Sequence, residues 1–328
     1  MSQLKVYNFM DLRRYAVVFS GILLLASATS LFTQGLVLGL DFSGGTQVEV
    51  GYEQPVDVAQ LRNQLEDAGF DDPVVVHFGS ESDILIRIQE APQRDIDRSK
   101  DPQATTDNGD GAQQDAKKSL ADRVYEAVQS GDQKVDMRRL DYVGPQIGEE
   151  LRDKGGLGML IALAVVMLYV AIRFQFKFSV GAVLALVHDV LITLGIFSIT
   201  RLEFDLTVLA AILAVVGYSL NDTIVVSDRI RENFRKIRKA TPVEVINESL
   251  SQTLWRTINT SMTTLLVLLA LFFFGGELIQ NFAIALMIGV GIGTYSSVYV
   301  AATVMLAMNV DREDLLEPEE GELVDDLP

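Results

Sequence analysis

Four ionisable side chains lie within or beside long apolar stretches of the sequence: His188, Asp189, Asp222 and Arg256. An ionisable group inside a membrane-spanning helix is costly, and such groups usually mark a pathway for an ion or a proton. Removal from water makes a carboxylate hold its proton more tightly, whereas a nearby cation makes it release that proton. These residue types therefore indicate a site that loads and releases a proton as its surroundings change.

Asp222 is the most informative of the four. It lies seven residues before Arg229, which is about 10 Å along a helix and places the carboxylate inside its apolar segment. Tyr218 and Ser219 share its helical face at spacings of four and three. On the next apolar segment, Arg256 begins a polar stripe that could bring its guanidinium to this carboxylate. The spacing leaves two interpretations open, a proton site or a static buried ion pair that fixes helix packing.

The preceding apolar segment carries the second acidic residue. Asp189 follows Gly181 and Ala185 at steps of four residues, and small residues at that spacing mark helix-packing faces. Asp189 is therefore predicted to point into a helix bundle, and His188 is interpreted as a structural hydrogen-bonding residue rather than a proton shuttle. A possible intramembrane polar network consists of His188, Asp189, Ser219, Asn221 and Thr260.

Six stretches are long and apolar enough to span a bilayer, whose core of about 30 Å needs roughly 20 apolar residues in a helix. They cover residues 15–33, 155–172, 178–200, 204–227, 257–276 and 278–308. The sequence therefore predicts a polytopic α-helical membrane protein. Its first transmembrane helix is expected over residues 15–34 and a five-helix bundle over residues 153–308.

The positive charges predict one orientation, because such charges collect in the cytoplasmic loops of membrane proteins. With residues 1–14 in the cytoplasm, the basic loops around residues 173–177 and 229–239 also fall inside. Residues 35–152 are then periplasmic, and both termini, including an acidic tail over residues 309–328, are cytoplasmic at a bacterial inner membrane. The first span resembles a secretory signal, but its long apolar region and the charge pattern favour an uncleaved anchor.

The segment over residues 35–152 is soluble in composition. Strands are predicted over residues 47–52, 73–79, 84–89 and 135–143, and helices over residues 57–70 and 119–130. This order of elements is that of a ferredoxin-like α+β domain. Residues 91–116 are rich in Asp, Gln, Pro, Gly and Thr and are predicted to be a disordered insertion.

Composition excludes several classes of function. The net charge is −17, with 24 acidic and 12 basic residues over 39–152 and nine acidic and one basic over 311–328, so the chain lacks the cationic face that nucleic-acid binding needs. The absence of cysteine and the presence of two histidines leave little scope for a metal site. Since no Gly-x-x-x-x-Gly-Lys loop is present, a nucleotide-hydrolysing enzyme is not expected.

Residues 216–233 run from Val216-Gly-Tyr-Ser-Leu-Asn-Asp222 to Ser227-Asp-Arg-Ile-Arg-Glu-Asn233. They resemble the fourth-span signature of the SecF family of bacterial protein-export membrane proteins. Residues 143–148, 185–189 and 288–294 fit as well, so the resemblance covers the chain from residue 4 to about residue 310. A Gly-x-Asp-Phe-x-Gly-Gly segment typical of the family supplies Gly39, Asp41, Phe42, Gly44 and Gly45.

This resemblance implies a subunit of the SecDF complex, which is related to the resistance-nodulation-division transporters. The family pairs with SecD, associates with the SecYEG channel and YajC, and uses the proton motive force to draw preproteins outward after the SecA ATPase has driven them into the channel. The family's proton-path aspartate matches Asp222, and its basic partner in the fifth span matches Arg256. The proton gradient is then the energy source, and no cofactor is expected.

Two alternatives stay open beside this interpretation. The chain could be a passive assembly or clamp subunit of the translocon, with Asp222 structural. It could also be half of a small-molecule or lipid exporter of the same superfamily, although such exporters usually carry two six-span halves in one chain.

Overall fold

The computed structural model describes residues 6–70, 73–78, 80–88, 122–129, 135–237 and 239–311. The first half of the described chain contains a 3₁₀ turn (Phe9–Leu12), α1 (Arg13–Thr33), β1 (Val37–Leu38), α2 (Leu40–Ser43), β2 (Gly45–Tyr52), α3 (Val58–Asp67), β3 (Val74–Phe78), β4 (Ser80–Ile88), α4 (122–128) and β5 (Val135–Val143). The second half contains α5 (Pro145–Arg173), α6 (Phe176–Thr200), β6 (Glu203–Phe204), α7 (Leu206–Lys236), α8 (Pro242–Phe274), a 3₁₀ turn (Glu277–Ile279), α9 (Gln280–Ser296), a π-helical turn (Ser297–Ala301) and α10 (Ala302–Ala307).

Six helical segments in the described ranges are long and apolar enough to cross a membrane, which confirms the predicted number of spans. They are α1 with its preceding turn, α5, α6, α7, α8, and the sixth span formed by α9, the π-helical turn and α10. The structure extends three of these helices well beyond the predicted apolar stretches. α5 begins at Pro145 rather than at residue 155. α7 continues to Lys236, and α8 begins at Pro242 rather than near residue 257.

Polar contacts explain why α7 and α8 extend so far. α8 starts with a capping box in which Thr241 and Glu244 satisfy each other's backbone amides. Farther along, Asn233 of α7 donates to Ser249 and Gln252 of α8 at 2.9 and 3.0 Å. Hydropathy marks only the apolar part of a membrane helix, so it does not locate ends that are stabilised by such contacts.

β2 to β5, with α3 and α4, form a separate unit that we call the sheet domain. Its four strands lie in the order β3-β4-β2-β5, and every pair is antiparallel. This is the strand order of a ferredoxin-like fold, which confirms the predicted α+β class. The domain core buries alternate residues of the strands against Leu61 and Leu65 of α3 and Val124 and Val128 of α4. The predicted insertion over residues 91–116 and most of the acidic tail lie outside the described residues.

α6, α7 and the sixth span form the centre of the helical bundle, and small residues allow them to pack closely. A methyl group built on Gly195 of α6 would lie 2.1 Å from the side chain of Ser27 in α1. A methyl group on Gly289 of α9 would lie 2.1 Å from the side chain of Val215 in α7. The polar side chains of these helices therefore approach one another across short distances.

The contact at Gly289 predicts the effect of a single methyl group. Gly289→Ala should destabilise the bundle by about 1–3 kcal/mol, because the added carbon overpacks the contact with α7. Gly291, two residues away on the same helix, has no neighbouring atom within 4 Å of an added methyl group. Gly291→Ala is the matched control and should leave the midpoint of thermal unfolding in detergent unchanged or raised. Equal unfolding midpoints for the two variants would contradict the described packing of α9 on α7.

Candidate functional site

Asp222 lies in the middle of α7 with its side chain only 7% exposed. The hydroxyl of Thr257 in α8 donates a hydrogen bond to its Oδ1 at 2.8 Å. The hydroxyl of Ser297, the first residue of the π-helical turn, donates to its Oδ2 at 2.7 Å. The carboxylate thus lies where the fourth, fifth and sixth spans meet.

The hydrogen bonds around Asp222 can be satisfied in two protonation states. The hydroxyl of Ser297 also lies 3.0 Å from the carbonyl oxygen of Thr294. When Asp222 is ionised, it accepts from both Thr257 and Ser297. When it is protonated, its own hydrogen can be donated to Ser297, whose hydroxyl then turns to the Thr294 carbonyl. A proton can therefore bind at Asp222 without leaving an unpaired polar atom.

Arg256 lies beside this site without forming an ion pair with it. Its side chain is exposed on α8, and no ion pair within 4.0 Å joins it to Asp222 among the described residues. Its charge is nevertheless close enough to act electrostatically on the carboxylate. The guanidinium faces a cleft of about 540 Å³ that it shares with Asp228, Arg229 and Glu232. The contact position facing Asp222 is taken by Thr257, the next residue along α8.

Asp189 is the second buried carboxylate, and none of its surface is exposed. Its Oδ1 lies 2.8 Å from Nδ1 of His188, which is itself 3% exposed. Its Oδ2 accepts hydrogen bonds from Ser219 of α7 and from Ser296 of α9, the latter at 2.7 Å. Three elements therefore stabilise this side chain through hydrogen bonds.

The structure brings part of the predicted polar network together. His188, Asp189 and Ser219 are in direct contact, and Ser296 and Ser297 place their hydroxyls on Asp189 and Asp222 respectively. Asn221 and Thr260 have exposed side chains on the outer surfaces of α7 and α8 and do not join this cluster. No group of three or more potential metal ligands is found in the described part of the chain.

Sequence reasoning missed Thr257, Ser296 and Ser297 in this cluster, and also Ser20 of α1, whose hydroxyl lies 3.1 Å from Nε2 of His188. α8 carries polar residues on both of its faces, so the sequence pattern did not indicate that Thr257 rather than Arg256 would point inward. The paired serines follow a glycine-rich stretch of α9, whose small residues at steps of four are typical of a helix-packing face. Ser296 lies just before a π-helical turn and Ser297 begins it. Such turns are frequent at functional sites, but this turn is seen in the structure and not in the sequence pattern.

The Gly-x-Asp-Phe segment joins the sheet domain to the start of α7. The amide of Gly39 donates to the carbonyl of Phe204 at 2.8 Å, and Phe42 stacks on Phe204 with ring centroids 6.0 Å apart. Oδ2 of Asp41 accepts a hydrogen bond at 3.1 Å from the amide of Leu206, the first residue of α7. A carboxylate at this position also stabilises the helix by interacting with its dipole.

Two further contacts strengthen this connection, which we call the junction (residues 39–45, 143–148 and 203–206). A methyl group built on Gly148 of α5 would lie 2.9 Å from the backbone nitrogen of Gly44, so two of the sequence motifs pack against each other. Gly44 and Gly45 have φ angles of 70° and 124°, which glycine adopts without strain. Arg87 of β4 forms an ion pair with Glu203 at 2.5 Å. The sheet domain is therefore tied directly to the helix that carries Asp222.

Family models match two parts of the chain. The model described as "Protein export membrane protein SecD/SecF, C-terminal" matches residues 123–311, which is more than half of the chain. The model described as "SecD/SecF GG Motif" matches residues 29–56, which include the glycine segment of the junction.

Individual proteins of known name are similar over nearly the whole chain. Protein translocase subunit SecF of Pseudomonas aeruginosa is 49% identical over 323 residues, which are 98% of this chain and 97% of that protein. The subunit of the same name from Escherichia coli O157:H7 is 42% identical, over 95% of this chain and 91% of its own.

A solved structure extends this likeness to three dimensions. The crystal structure of SecDF from Thermus thermophilus, described as a translocon-associated membrane protein, has a TM-score of 0.76 and 36% identity. The match covers 94% of this chain but only 40% of that one, so this chain spans less than half of the solved SecDF protein. On these similarities, and with six spans and a ferredoxin-like domain in the expected order, the chain belongs to the SecF family of protein translocase subunits.

Proposed function

We propose that this chain is a proton-motive-force-dependent accessory subunit of protein export that works as a heterodimer with SecD. The observation that supports this proposal most strongly is Asp222, a buried carboxylate whose hydrogen bonds are satisfied with or without a proton. One elementary charge crossing a potential of 100 mV releases about 2.3 kcal/mol. That free energy is enough to bias a movement of the sheet domain, and the role needs neither a cofactor nor a hydrolysed nucleotide.

Movement would pass from the proton site to the sheet domain through α7. Proton binding at Asp222 reverses its hydrogen bond with Ser297, whose hydroxyl then turns toward the Thr294 carbonyl. The charge-assisted bond between α7 and the sixth span thereby becomes a neutral and weaker one. The first residue of α7 is held by Asp41, and the adjoining strand is held by the ion pair of Arg87 with Glu203. A translation of α7 along its axis, or a rotation about it, would therefore move the sheet domain.

The proposed orientation places the sheet domain in the periplasm and both termini in the cytoplasm of a bacterial inner membrane. Its support is the collection of basic residues at the opposite end of the bundle, in the turn between α5 and α6 and in the last turns of α7. In this position the sheet domain would act on a preprotein that leaves the SecYEG channel after SecA has driven it inward. YajC is the remaining partner that this assignment includes.

The heterodimer with SecD is supported by polar residues on the outside of the bundle. Asn221 of α7 and Arg256 and Asn259 of α8 are exposed within membrane-spanning helices. Lipid chains offer no hydrogen-bond partner, and a charge facing them is costly. We propose that the six-span half of SecD covers this polar face, which would also bring its side chains close to Asp222.

The proton role predicts which substitutions stop proton-driven export. Asp222→Asn should abolish the part of preprotein translocation into inverted membrane vesicles that depends on the proton gradient, with the complex still assembled. Thr257→Val removes one charge-assisted hydrogen bond worth about 1.5–3 kcal/mol and should reduce the same activity roughly 10-fold or more. Thr257→Ser keeps the hydroxyl and should restore it. Asp228→Asn, the same change at an exposed position of α7, is the control.

The outcomes of this experiment separate the functions under consideration. Gradient-dependent export by an assembled Asp222→Asn complex would show that the proton role is wrong. Loss of the complex itself in Asp222→Asn would instead support a passive clamp subunit. Normal export by all the variants, together with gradient-driven efflux of a small molecule, would favour an exporter.

The proposed SecD face predicts a change in lipid exposure on assembly. Because the chain has no cysteine, a spin label can be attached at Asn259→Cys alone. Its accessibility to oxygen dissolved in the bilayer should fall several-fold when SecD is added. Leu25→Cys, on the exposed face of α1, is the control and should not change. A label at position 259 that stays as accessible to oxygen as the control would contradict this docking surface.

A further inference from the structure

A continuous chain of hydrogen bonds runs from Asp189 to the first span. Nδ1 of His188 lies 2.8 Å from Asp189, and Nε2 lies 3.1 Å from the hydroxyl of Ser20 in α1. The Ser20 hydroxyl lies 3.0 Å from the hydroxyl of Tyr295, which donates to the carbonyl oxygen of Ala16 at 2.8 Å. His188, Asp189 and Ser20 are all buried.

The last acceptor of this chain fixes the direction of every bond in it. A carbonyl oxygen can only accept, so the single hydroxyl hydrogen of Tyr295 is used on Ala16. The bond between Ser20 and Tyr295 must then use the hydrogen of Ser20. The Ser20 oxygen can consequently only accept from His188, which means that Nε2 carries a hydrogen.

The contact of the other ring nitrogen, Nδ1, requires a second hydrogen on the His188–Asp189 pair. The short contact between Nδ1 and Asp189 also needs a hydrogen between its two atoms, on one or the other. His188 and Asp189 together thus hold one proton more than a neutral imidazole beside a carboxylate. The additional proton can lie on the imidazole or on the carboxyl group, and the pair has no net charge in either case.

We propose that His188 and Asp189 form a second proton-binding site of the bundle, coupled to Asp222 through Ser296 and Ser297. This inference deepens the proton role proposed above and rests on it for its part in export. Loss of the proton would leave a net negative charge in a buried pair, and either the Nδ1–Asp189 contact or the Nε2–Ser20 contact would then lack a hydrogen. The proton is therefore bound to the His188–Asp189 pair in its resting state and forms part of the hydrogen-bond network.

The coupling between the two carboxylate sites follows from two adjacent serines. Each serine hydroxyl can donate either to a carboxylate or to a backbone carbonyl oxygen. The Ser296 hydroxyl can donate to Asp189 or to the Gly293 carbonyl at 3.1 Å. Ser297 has the same choice between Asp222 and the next carbonyl along the helix, that of Thr294. Because consecutive residues of one turn serve the two carboxylates, a change of state at one site alters the backbone that positions the other.

Few other titratable groups face His188. α1 carries no charged residue between positions 15 and 33, and α6 carries none other than the pair itself between positions 178 and 200. α7 contributes Asp222, on which Arg256 of α8 acts electrostatically. The sixth span contributes Tyr295, whose ring is tilted against that of Tyr299 with the centroids 5.5 Å apart. Asp222 is therefore the carboxylate expected to respond to the proton on this pair.

The chain contains only two histidines, which allows a direct test. His77 is exposed on β3 of the sheet domain, so His77→Gln leaves His188 as the only imidazole of an otherwise intact full-length chain. The protein would be labelled with ¹⁵N-histidine and purified with a tag that contains no histidine. It would then be placed in a lipid nanodisc. Nitrogen NMR at neutral pH then reports whether Nε2 of His188 bears a hydrogen, without any substitution in the bundle.

The expected spectrum shows a protonated Nε2. The pH at which the ring nitrogen shifts report loss of one proton from the His188–Asp189 pair should be lower in Asp222→Asn than in Asp228→Asn. A bare Nε2 with the hydrogen on Nδ1 would overturn the site. The same pH of loss in all three proteins would overturn its coupling to Asp222. The spectrum is recorded without SecD, preprotein or gradient, so failure of the proposed export function would not alter it.

Discussion

Neutralising two carboxylates inside a membrane-spanning bundle is the constraint on which the rest of this structure depends. Asp189 and Asp222 lie in helices that lipid surrounds, where an unpaired polar atom costs several kcal/mol. Hydroxyl groups from three of the spans donate to them, and small residues make that approach possible. Gly293 of α9, for example, leaves only 3.1 Å between a built methyl position and the side chain of Ser219. Larger residues at these contacts would separate the helices and leave the carboxylates unpaired.

The same constraint connects the membrane part of the protein to its sheet domain. α7 contains Asp222 at its centre, and its first residue is held by Asp41 in the glycine segment. The strand that precedes α7 is held by an ion pair from the body of the sheet domain. A single helix thus joins a titratable site to a folded domain through these contacts.

Much of this architecture could be predicted from the sequence. The length of the apolar stretches fixes six spans, because the bilayer requires about 20 residues for each. Alternating and helical periodicities gave the correct order of elements in the sheet domain. Asp222 was identified because a carboxylate in an apolar helix is rare. What the pattern does not contain is the rotation of each helix about its axis.

That missing rotation explains the parts of the site that were not predicted. Arg256 and Thr257 are neighbours in sequence, and a turn of about 100° per residue decides which of them faces Asp222. The chain from His188 through Ser20 to Tyr295 crosses three spans, so no local spacing could have indicated it. No ion pair joins Arg256 to Asp222 among the described residues, and a role for Arg256 in the proton pathway remains a prediction.

The central claim is that Asp222 binds and releases a proton within the folded bundle. Infrared difference spectroscopy on the complex with SecD in lipid, recorded between two pH values, measures this most directly. We expect a carbonyl band of a buried carboxylic acid that appears at the lower pH and is absent from Asp222→Asn. The same band in Asp222→Asn, or no such band in the unaltered complex at any pH that supports export, would contradict it.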